Sequence, residues 1–191
     1  MSRVRSVPSS ELPPESAAVY EKFAQSYGQF RNQVAVFAHV PSAMAHMMGM
    51  LMELKAQRNI NWRYIELAIV TVSKLNQCDY CVAHHTEPLM IEGMAGDAVG
   101  RLPEYKDNPG LDDIDRLVVE YTIAVTTDAR RVSDSLFARL RNHFSEAEIV
   151  ELTLRIALAG FFNRFNEALR IDDELAGPEV PSRPRFHFSS S

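Results

Sequence analysis

The chain has 191 residues, of which 46% are hydrophobic, so it can bury a sizeable core without disulfides or metal ions. Its 20 basic and 25 acidic residues give a net charge of −5, and no long basic block is present, which argues against nucleic acid or an anionic membrane as partner. No apolar run has the length of a membrane span, and the N-terminus lacks the apolar stretch of a secretory signal. Both cysteines lie in one CxxC, which is typical of a catalytic or metal-binding pair in a cytoplasmic protein.

Helical patterns cover most of the chain. The segments with apolar residues at helical spacing are residues 14–30, 41–57, 62–76, 78–92, 111–126, 133–144 and 145–171. Pro88 is predicted to kink the fourth of these helices and Gly93 to end it, while Ser145 and Glu148 form a capping-box pattern at the start of the last. Residues 94–110 are predicted to be a loop with one helical turn at most. Because no alternating strand pattern is convincing, we predict an all-α bundle.

The stretch from Glu66 to His85 concentrates the reactive side chains. Cys78, Cys81 and His85 have the spacing i, i+3 and i+7, which places them on one face of a helix. Two neighbouring thiols with a proton carrier on the same face are what thiol redox chemistry requires. Cys78 is predicted to lie in the first turn, where the helix dipole favours its thiolate. Glu66, arriving from the preceding helix, is predicted to orient His85 or to take the thiol proton through water.

Two other side chains of this stretch have more ordinary interpretations. His84 lies about 100° around the helix from His85 and is more typical of a surface or packing histidine. Tyr80 is predicted to be a packed aromatic whose hydroxyl could donate to a ligand. A zinc site is the competing interpretation of the cysteines, but all of its ligands would come from one helix, whereas structural zinc sites draw on two elements.

A weak internal similarity links this stretch to the last predicted helix. Glu66 stands twelve residues before the tetrad 78–81, and Glu151 stands twelve residues before the tetrad 163–166. Both tetrads have an aromatic residue in third place. The similarity fits either an old duplication in which one copy kept the thiols or a chance likeness of two amphipathic helices.

The spacing Glu66-x11-Cys78-x2-Cys81-x3-His85 resembles the signature of the alkylhydroperoxidase D-like (AhpD-like) branch of the carboxymuconolactone decarboxylase family. The resemblance is clearest over residues 62–93. It implies an all-α, AhpD-like helical bundle that assembles as a homo-oligomer, often a trimer or hexamer.

With the composition of the two ends, the resemblance also implies a domain layout. A Pro- and Ser-rich end follows the last helical pattern, and a separate helical segment precedes the part that resembles the family. The expected layout is an N-terminal helical extension over residues 1–40, an AhpD-like domain over residues 41–175 and a flexible C-terminal tail over residues 176–191.

The activity implied by the resemblance is that of a thiol-dependent alkyl hydroperoxide reductase. By position, Cys81 corresponds to the peroxidatic thiol, Cys78 to a resolving thiol nearer the surface, and Glu66 and His85 to the relay that activates Cys81. The implied partners are a small hydroperoxide and a dithiol reductant, a lipoyl protein in the best-known case, with no metal or other cofactor. Tyr80 departs from the best-known peroxidases, which can carry a histidine at that place, and leaves open another substrate or a general dithiol oxidoreductase.

Two alternatives from other classes stay open. A lactone decarboxylase of aromatic-compound degradation would use His85 and Glu66 as base and acid, although the true decarboxylases of the family typically lack the CxxC. A zinc-stabilised helical interaction module would instead contain stoichiometric metal and lose its fold to a chelator.

Overall fold

Nine α-helices make up the regular structure of residues 2–175, the part of the chain that the computed structural model describes, apart from short 3-10 turns. Within these residues there is no strand, so the all-α prediction is confirmed. The helices are α1 (Pro14–Ser26), α2 (Arg31–Phe37), α3 (Pro41–Gln57), α4 (Trp62–Leu75), α5 (Asp79–Ile91), α6 (Gly96–Arg101), α7 (Asp113–Asp128), α8 (Asp134–Arg141) and α9 (Glu146–Leu169). The expected tail, residues 176–191, lies outside the described residues.

The N-terminal region departs from the predicted helices. Residues 14–30 are not one helix, because α1 ends at Ser26 and Tyr27 leaves the helical conformation with φ −139° and ψ 48°. Gly28, whose helix propensity is poor, follows at the start of a 3-10 turn. The pattern also missed α2, in which residues 33–37 are all buried. A helix that is buried all round has no polar face and therefore no amphipathic period to read.

The predicted helix ends agree better with the structure. Ser145 Oγ accepts from the Glu148 backbone N–H at 3.3 Å, and Glu148 Oε2 accepts from the Ser145 backbone N–H at 2.8 Å, which is the predicted capping box. Pro88 lies inside α5, and Gly93 follows α5 with a φ of 91°, in the region that favours glycine. The predicted loop over residues 94–110 contains the short helix α6.

Helix α4 is the centre of the packing. It lies against α5, α7 and α9, and most of its side chains are buried. One hydrophobic cluster surrounds α4, α7 and the first half of α9. A second cluster joins the N-terminal region and α3 to both cysteines, with Phe23, Phe30 and Val34 among its buried members. The cysteines therefore lie where the N-terminal region meets the rest of the bundle. None of the described helices is both long and apolar enough to cross a bilayer.

A buried ion pair fixes α4 against α7. Arg63 Nε donates to Asp115 Oδ1 at 3.0 Å and Arg63 Nη2 donates to Asp115 Oδ2 at 2.6 Å, which is a bidentate pair. Arg63 Nη1 also donates to the carbonyl of Glu92 at 3.3 Å, beyond the end of α5. The Asp115 side chain is fully buried, so the pair holds the position of α4, and through α4 the site described below.

Replacing Asp115 with Ala should lower the free energy of unfolding by about 3 kcal/mol, because it leaves a mostly buried guanidinium without its partner. Urea denaturation followed by circular dichroism measures the change. Asp113→Ala, two residues away, is the matched control: its side chain is fully exposed, so losing its pair with Arg116 should change the stability little. Equal losses in the two variants would contradict a special role for the buried pair.

Candidate active site

A tight turn between α4 and α5 sets the position of the two cysteines. Gln77 adopts a left-handed conformation with φ 55°, and the Cys78 backbone N–H donates to the carbonyl of Ser73 at 2.9 Å. Cys78 is the residue that precedes α5, and Cys81 lies in its first turn. Both thiols are free and buried, with 3.1 Å between their sulfur atoms. A disulfide spans about 2.0 Å, so closing one requires the sulfurs to approach by only about 1 Å.

Cys81 is the thiol that the surroundings ionise. Its Sγ accepts hydrogen bonds from the Cys78 thiol at 3.1 Å and from Asn166 Nδ2 at 3.2 Å. The hydrogen bond from Cys78, the charge of His85 and the hydrogen bonds from Asn163 and Asn166 outweigh burial and lower the pKa of Cys81 from 9.0 to about 6. Of the two thiols, Cys81 is therefore the one whose thiolate the surroundings favour.

Cys78 has the opposite properties, which corrects two expectations. Its hydrogen bond to Cys81 and its burial raise its pKa, so the prediction that the helix start favours the Cys78 thiolate is wrong. The backbone dipole is outweighed because Cys78 shares its proton with Cys81 and has no solvent contact. Nor does Cys78 lie nearer the surface within the chain: it is 0% exposed and Cys81 is 4% exposed.

Glu66 and His85 form a partly buried acid–base pair. Glu66 Oε2 lies 2.7 Å from His85 Nδ1, which joins α4 to α5 across nineteen residues of sequence. Glu66 is buried, and the His85 ring packs beside Phe30 with 5.2 Å between ring centroids. A carboxylate on one ring nitrogen fixes the orientation of the imidazole ring. The two residues that the sequence singled out as partners are thus in direct contact.

An apolar cavity of about 140 Å³ opens onto these groups. Cys81, His85 and Glu66 line it together with Asn163, whereas Cys78 does not. Its size is close to that of a cavity known to hold a benzene ring. The hydrophobic part of its wall consists of Phe23, Tyr27, Phe30, Leu51, Trp62, Ile69, Pro88, Leu158, Ala159 and Phe162.

His84 and Tyr80 are packed side chains outside this cavity. Their rings stack with 4.0 Å between centroids, and His84 Nδ1 lies 2.7 Å from the Tyr80 carbonyl oxygen. His84 Nε2 and the Tyr80 hydroxyl both reach Glu174, at 3.2 and 3.3 Å, and burial raises the pKa of Tyr80. The pair therefore ties α5 to the segment that follows α9.

The zinc interpretation of the cysteines is not favoured by this geometry. Cys81 Sγ already accepts from Cys78 and Asn166, and His85 Nδ1 is taken by Glu66. Among residues 2–175, the side chains that come together with the spacing of metal ligands are a different set, namely His84, Asp173 and Glu174.

Three amides that sequence reasoning missed complete the site. Asn166 donates to Cys81, Gln33 Nε2 donates to Asn166 Oδ1 at 3.0 Å, and Asn163 donates to Ser73 Oγ at 3.1 Å. The internal similarity carried a signal for two of them, because its register aligns the tetrad 163–166 with the tetrad of the cysteines. Gln33 had no such signal, since it lies in the helix that the pattern missed.

Comparison with protein families matches the part of the chain that holds the cysteines. A model described as the carboxymuconolactone decarboxylase family matches residues 41–104, which span α3, α4, α5 and α6. Among curated proteins, the uncharacterised protein YdfG of Bacillus subtilis (strain 168) is 28% identical over 138 residues, which cover 72% of this chain and 93% of YdfG.

Solved structures with a similar fold include two proteins related to AhpD and a debrominase. ATU0492 from Agrobacterium tumefaciens, of unknown function but assigned to antioxidant defence as AhpD, is 25% identical with a TM-score of 0.65, covering 73% of this chain and 97% of its own. An alkylhydroperoxidase AhpD core protein from Ralstonia eutropha JMP134 is 21% identical with a TM-score of 0.78, covering 91% and 93%. The debrominase Bmp8, as a cysteine-to-alanine variant in complex with 2,3,4-tribromopyrrole, is 20% identical with a TM-score of 0.71, covering 85% and 87%.

Labelling of Cys81 by iodoacetamide should rise with pH through about 6 and level off by pH 8, because the thiolate is the reacting form and the pKa of Cys81 is lowered. Peptide mass spectrometry separates Cys81 from Cys78, which should react only at much higher pH.

Asn166→Leu should move the Cys81 labelling midpoint upward by about one pH unit, because it removes one donor to the thiolate at nearly constant volume. Asn142→Leu makes the same substitution at an exposed position outside the cavity lining; it is the control and should leave the midpoint in place. A midpoint near 9 in the unmodified protein would contradict an activated Cys81.

Proposed function

We propose that this protein is a thiol-dependent alkyl hydroperoxide reductase of the AhpD-like kind, and that it belongs to the carboxymuconolactone decarboxylase family, whose model matches residues 41–104. The observation that carries the proposal is that Cys81 lines a small apolar cavity together with the Glu66–His85 pair. An activated thiol, a proton donor and a second thiol at 3.1 Å are the parts that peroxide reduction needs.

In the first step the Cys81 thiolate attacks the terminal oxygen of the hydroperoxide. An S–O bond forms, the O–O bond breaks, Cys81 becomes a sulfenic acid, and the other oxygen leaves as an alkoxide. The His85 imidazolium gives its proton to that alkoxide, so the product is an alcohol. Glu66, at 2.7 Å from Nδ1, holds the ring and stabilises its charged form before the transfer. The apolar wall excludes bulk water and holds the organic part of the substrate.

In the second step the Cys78 sulfur attacks the sulfur of the Cys81 sulfenic acid. A disulfide forms, and hydroxide leaves with the Cys78 proton as water. The thiols are adjacent in the reduced state, so this step requires no unwinding of α5. A dithiol of the lipoyl class then returns two electrons and two protons by thiol–disulfide exchange. Overall, one hydroperoxide and one dithiol become one alcohol, one water and one disulfide.

The proposal extends to the setting of the protein. We propose a cytoplasmic homo-oligomer, a trimer or hexamer, as the resemblance to the family implies. Large apolar side chains on the surface of the single chain support an assembly, among them Val40, Ile91 and Val150, which are 57%, 76% and 67% exposed.

The main competing activity is a lactone decarboxylase. The feature in its favour is the Glu66–His85 pair, which could act as base and acid without any thiol. Alkylating both cysteines would leave a decarboxylase active and would stop a thiol peroxidase, which separates the two. A general dithiol oxidoreductase would keep the disulfide cycle but show no preference for peroxides over disulfide substrates.

One equivalent of cumene hydroperoxide should oxidise both thiols of the purified protein, with a loss of two mass units from the peptide that contains Cys78 and Cys81. Cys81→Ser should abolish peroxide consumption, because it removes the nucleophile. Cys78→Ser should consume one equivalent and stop with a sulfenic acid at Cys81 that dimedone traps. Full peroxide turnover by Cys81→Ser would falsify the assignment.

Glu66→Gln should lower the second-order rate of Cys81 oxidation by about 10²-fold, because the amide keeps the size of the side chain but cannot stabilise the imidazolium. Stopped-flow kinetics across the pH range measures the effect. Glu87→Gln is the control, since Glu87 lies on α5 outside the cavity lining and should react at the original rate. Equal rates for Glu66→Gln and the unmodified protein would remove Glu66 from the mechanism.

A further inference from the structure

Arg155 is a buried cation in the cavity wall whose hydrogen bonds are incomplete. Its side chain is 5% exposed, and within residues 2–175 its Nε and Nη2 atoms have no hydrogen-bond partner. The nearest carboxylate oxygen, Glu151 Oε1, lies 3.5 Å from Nη2 and forms an ion pair without a hydrogen bond. A buried charged donor without a hydrogen-bond acceptor costs free energy. We therefore expect a bound molecule to supply the acceptor that Nε and Nη2 lack within the described residues.

The two unpartnered atoms are the ones that bind a carboxylate side-on. In this same protein, Arg63 uses its Nε and Nη2 to hold both oxygens of Asp115, at 3.0 and 2.6 Å. Within the described residues the corresponding edge of Arg155 makes no hydrogen bond, and only its Nη2 lies near a carboxylate, at 3.5 Å from Glu151 Oε1. Arg155 lines the apolar cavity that Cys81 also lines. Planar, bidentate recognition of carboxylates is what arginine does better than any other side chain.

A second cation, Lys55, lines the same cavity, and like Arg155 it lies beside the Trp62 ring. Lys55 Nζ lies 5.5 Å from the centroid of the Trp62 ring, and Arg155 Cζ lies 5.1 Å from it. Lys55 Nζ is also 4.3 Å from the Tyr27 ring centroid, and within the described residues it has no carboxylate within ion-pair distance. The acidic side chains of the neighbourhood have other partners, since Glu66 is held by His85 and Glu151 accepts from Asn59 at 3.4 Å.

We propose that the substrate is a small organic hydroperoxide that carries a carboxylate, and that Arg155 and Lys55 bind this carboxylate while its peroxide reacts at Cys81. The inference rests on the proposed function and names its substrate class. The aromatic wall and the volume of about 140 Å³ suit an organic part about the size of one substituted benzene ring. The reaction is the one written above: the carboxylate is unchanged, and the hydroperoxide becomes an alcohol.

Binding of unreactive probes tests the carboxylate site without any turnover. Trp62 is the single tryptophan of the chain and lines the cavity, so its fluorescence reports occupancy. The probes are 4-isopropylbenzoate and 4-isopropylbenzamide, which share a shape and differ in charge. The unmodified protein should bind the benzoate at least tenfold more tightly, because hydrogen bonds between two charged groups are stronger than those to a neutral amide.

Two variants and one control locate the effect. The first variant is Lys55→Met. The second combines Arg155→Met with Glu151→Gln, so that no buried carboxylate is left without its partner. Each should weaken benzoate binding about tenfold and leave amide binding within about twofold. Lys106→Met removes the same charge from an exposed loop position outside the cavity lining and should change neither affinity. Equal affinities for the two probes in the unmodified protein, or a benzoate preference that survives in both variants, would overturn the proposal.

Turnover separates this inference from the function on which it rests. The kcat/KM for 4-(2-hydroperoxypropan-2-yl)benzoate should exceed that for cumene hydroperoxide at least tenfold, and the excess should vanish in Lys55→Met. Turnover of both peroxides at equal kcat/KM would overturn the carboxylate site and leave the peroxidase standing. A benzoate preference in binding with no turnover of either peroxide would overturn the peroxidase and leave an acid-binding cavity.

Discussion

The stabilisation of one buried negative charge at Cys81 is the constraint on which the site depends. A thiolate shielded from water is stable only where donors and positive charge replace hydration. Three parts of the chain supply them: the CxxC itself through Cys78, α9 through Asn163 and Asn166, and α5 through His85. Because α9 supplies the donor Asn166, the packing of α9 against α4 and α5 contributes to the chemistry of the site as well as to its structure.

The N-terminal region belongs to the same electrostatic arrangement. Gln33 of α2 holds the side-chain oxygen of Asn166 and thereby turns the amide nitrogen toward Cys81. Phe30 packs against the rings of both His84 and His85, and Gln29 Nε2 donates at 3.4 Å to the His84 carbonyl. That carbonyl lacks its usual helical partner because Pro88, four residues later, has no N–H. The proline in α5 thus provides an acceptor to which the N-terminal region binds.

The fold class and the reactive residues were predictable because they depend on local patterns. Helical spacing identified α3, α4 and α5, and the i, i+3, i+7 spacing brought Cys78, Cys81 and His85 to one face. The contact of Glu66 with His85 followed from the same reasoning, since a short turn must fold α4 back along α5. What local patterns could not give is the difference between the two thiols, because it arises from amides 85 residues away and from burial that only the assembled bundle creates.

The cationic side of the cavity was hidden for a related reason. Arg155 occurs in a sequence where a charged residue every few positions is ordinary, and nothing local distinguishes a solvated arginine from a buried one. Its burial follows from the way α9 packs against α4, and the 3.5 Å distance to Glu151 leaves its Nε and Nη2 without a hydrogen bond. Composition and periodicity indicate which residues can react. Tertiary packing decides which buried polar side chains lack hydrogen-bond partners.

The distance in sequence between Cys81 and Asn166 has a consequence for biosynthesis. The cysteines leave the ribosome 85 residues before the amide that helps to hold the thiolate. Until α9 has been synthesised and has packed against α4 and α5, Cys81 lacks the hydrogen bond from Asn166. The full set of donors to this sulfur therefore exists only after the last helix has folded, so the site cannot be complete on a partly synthesised chain.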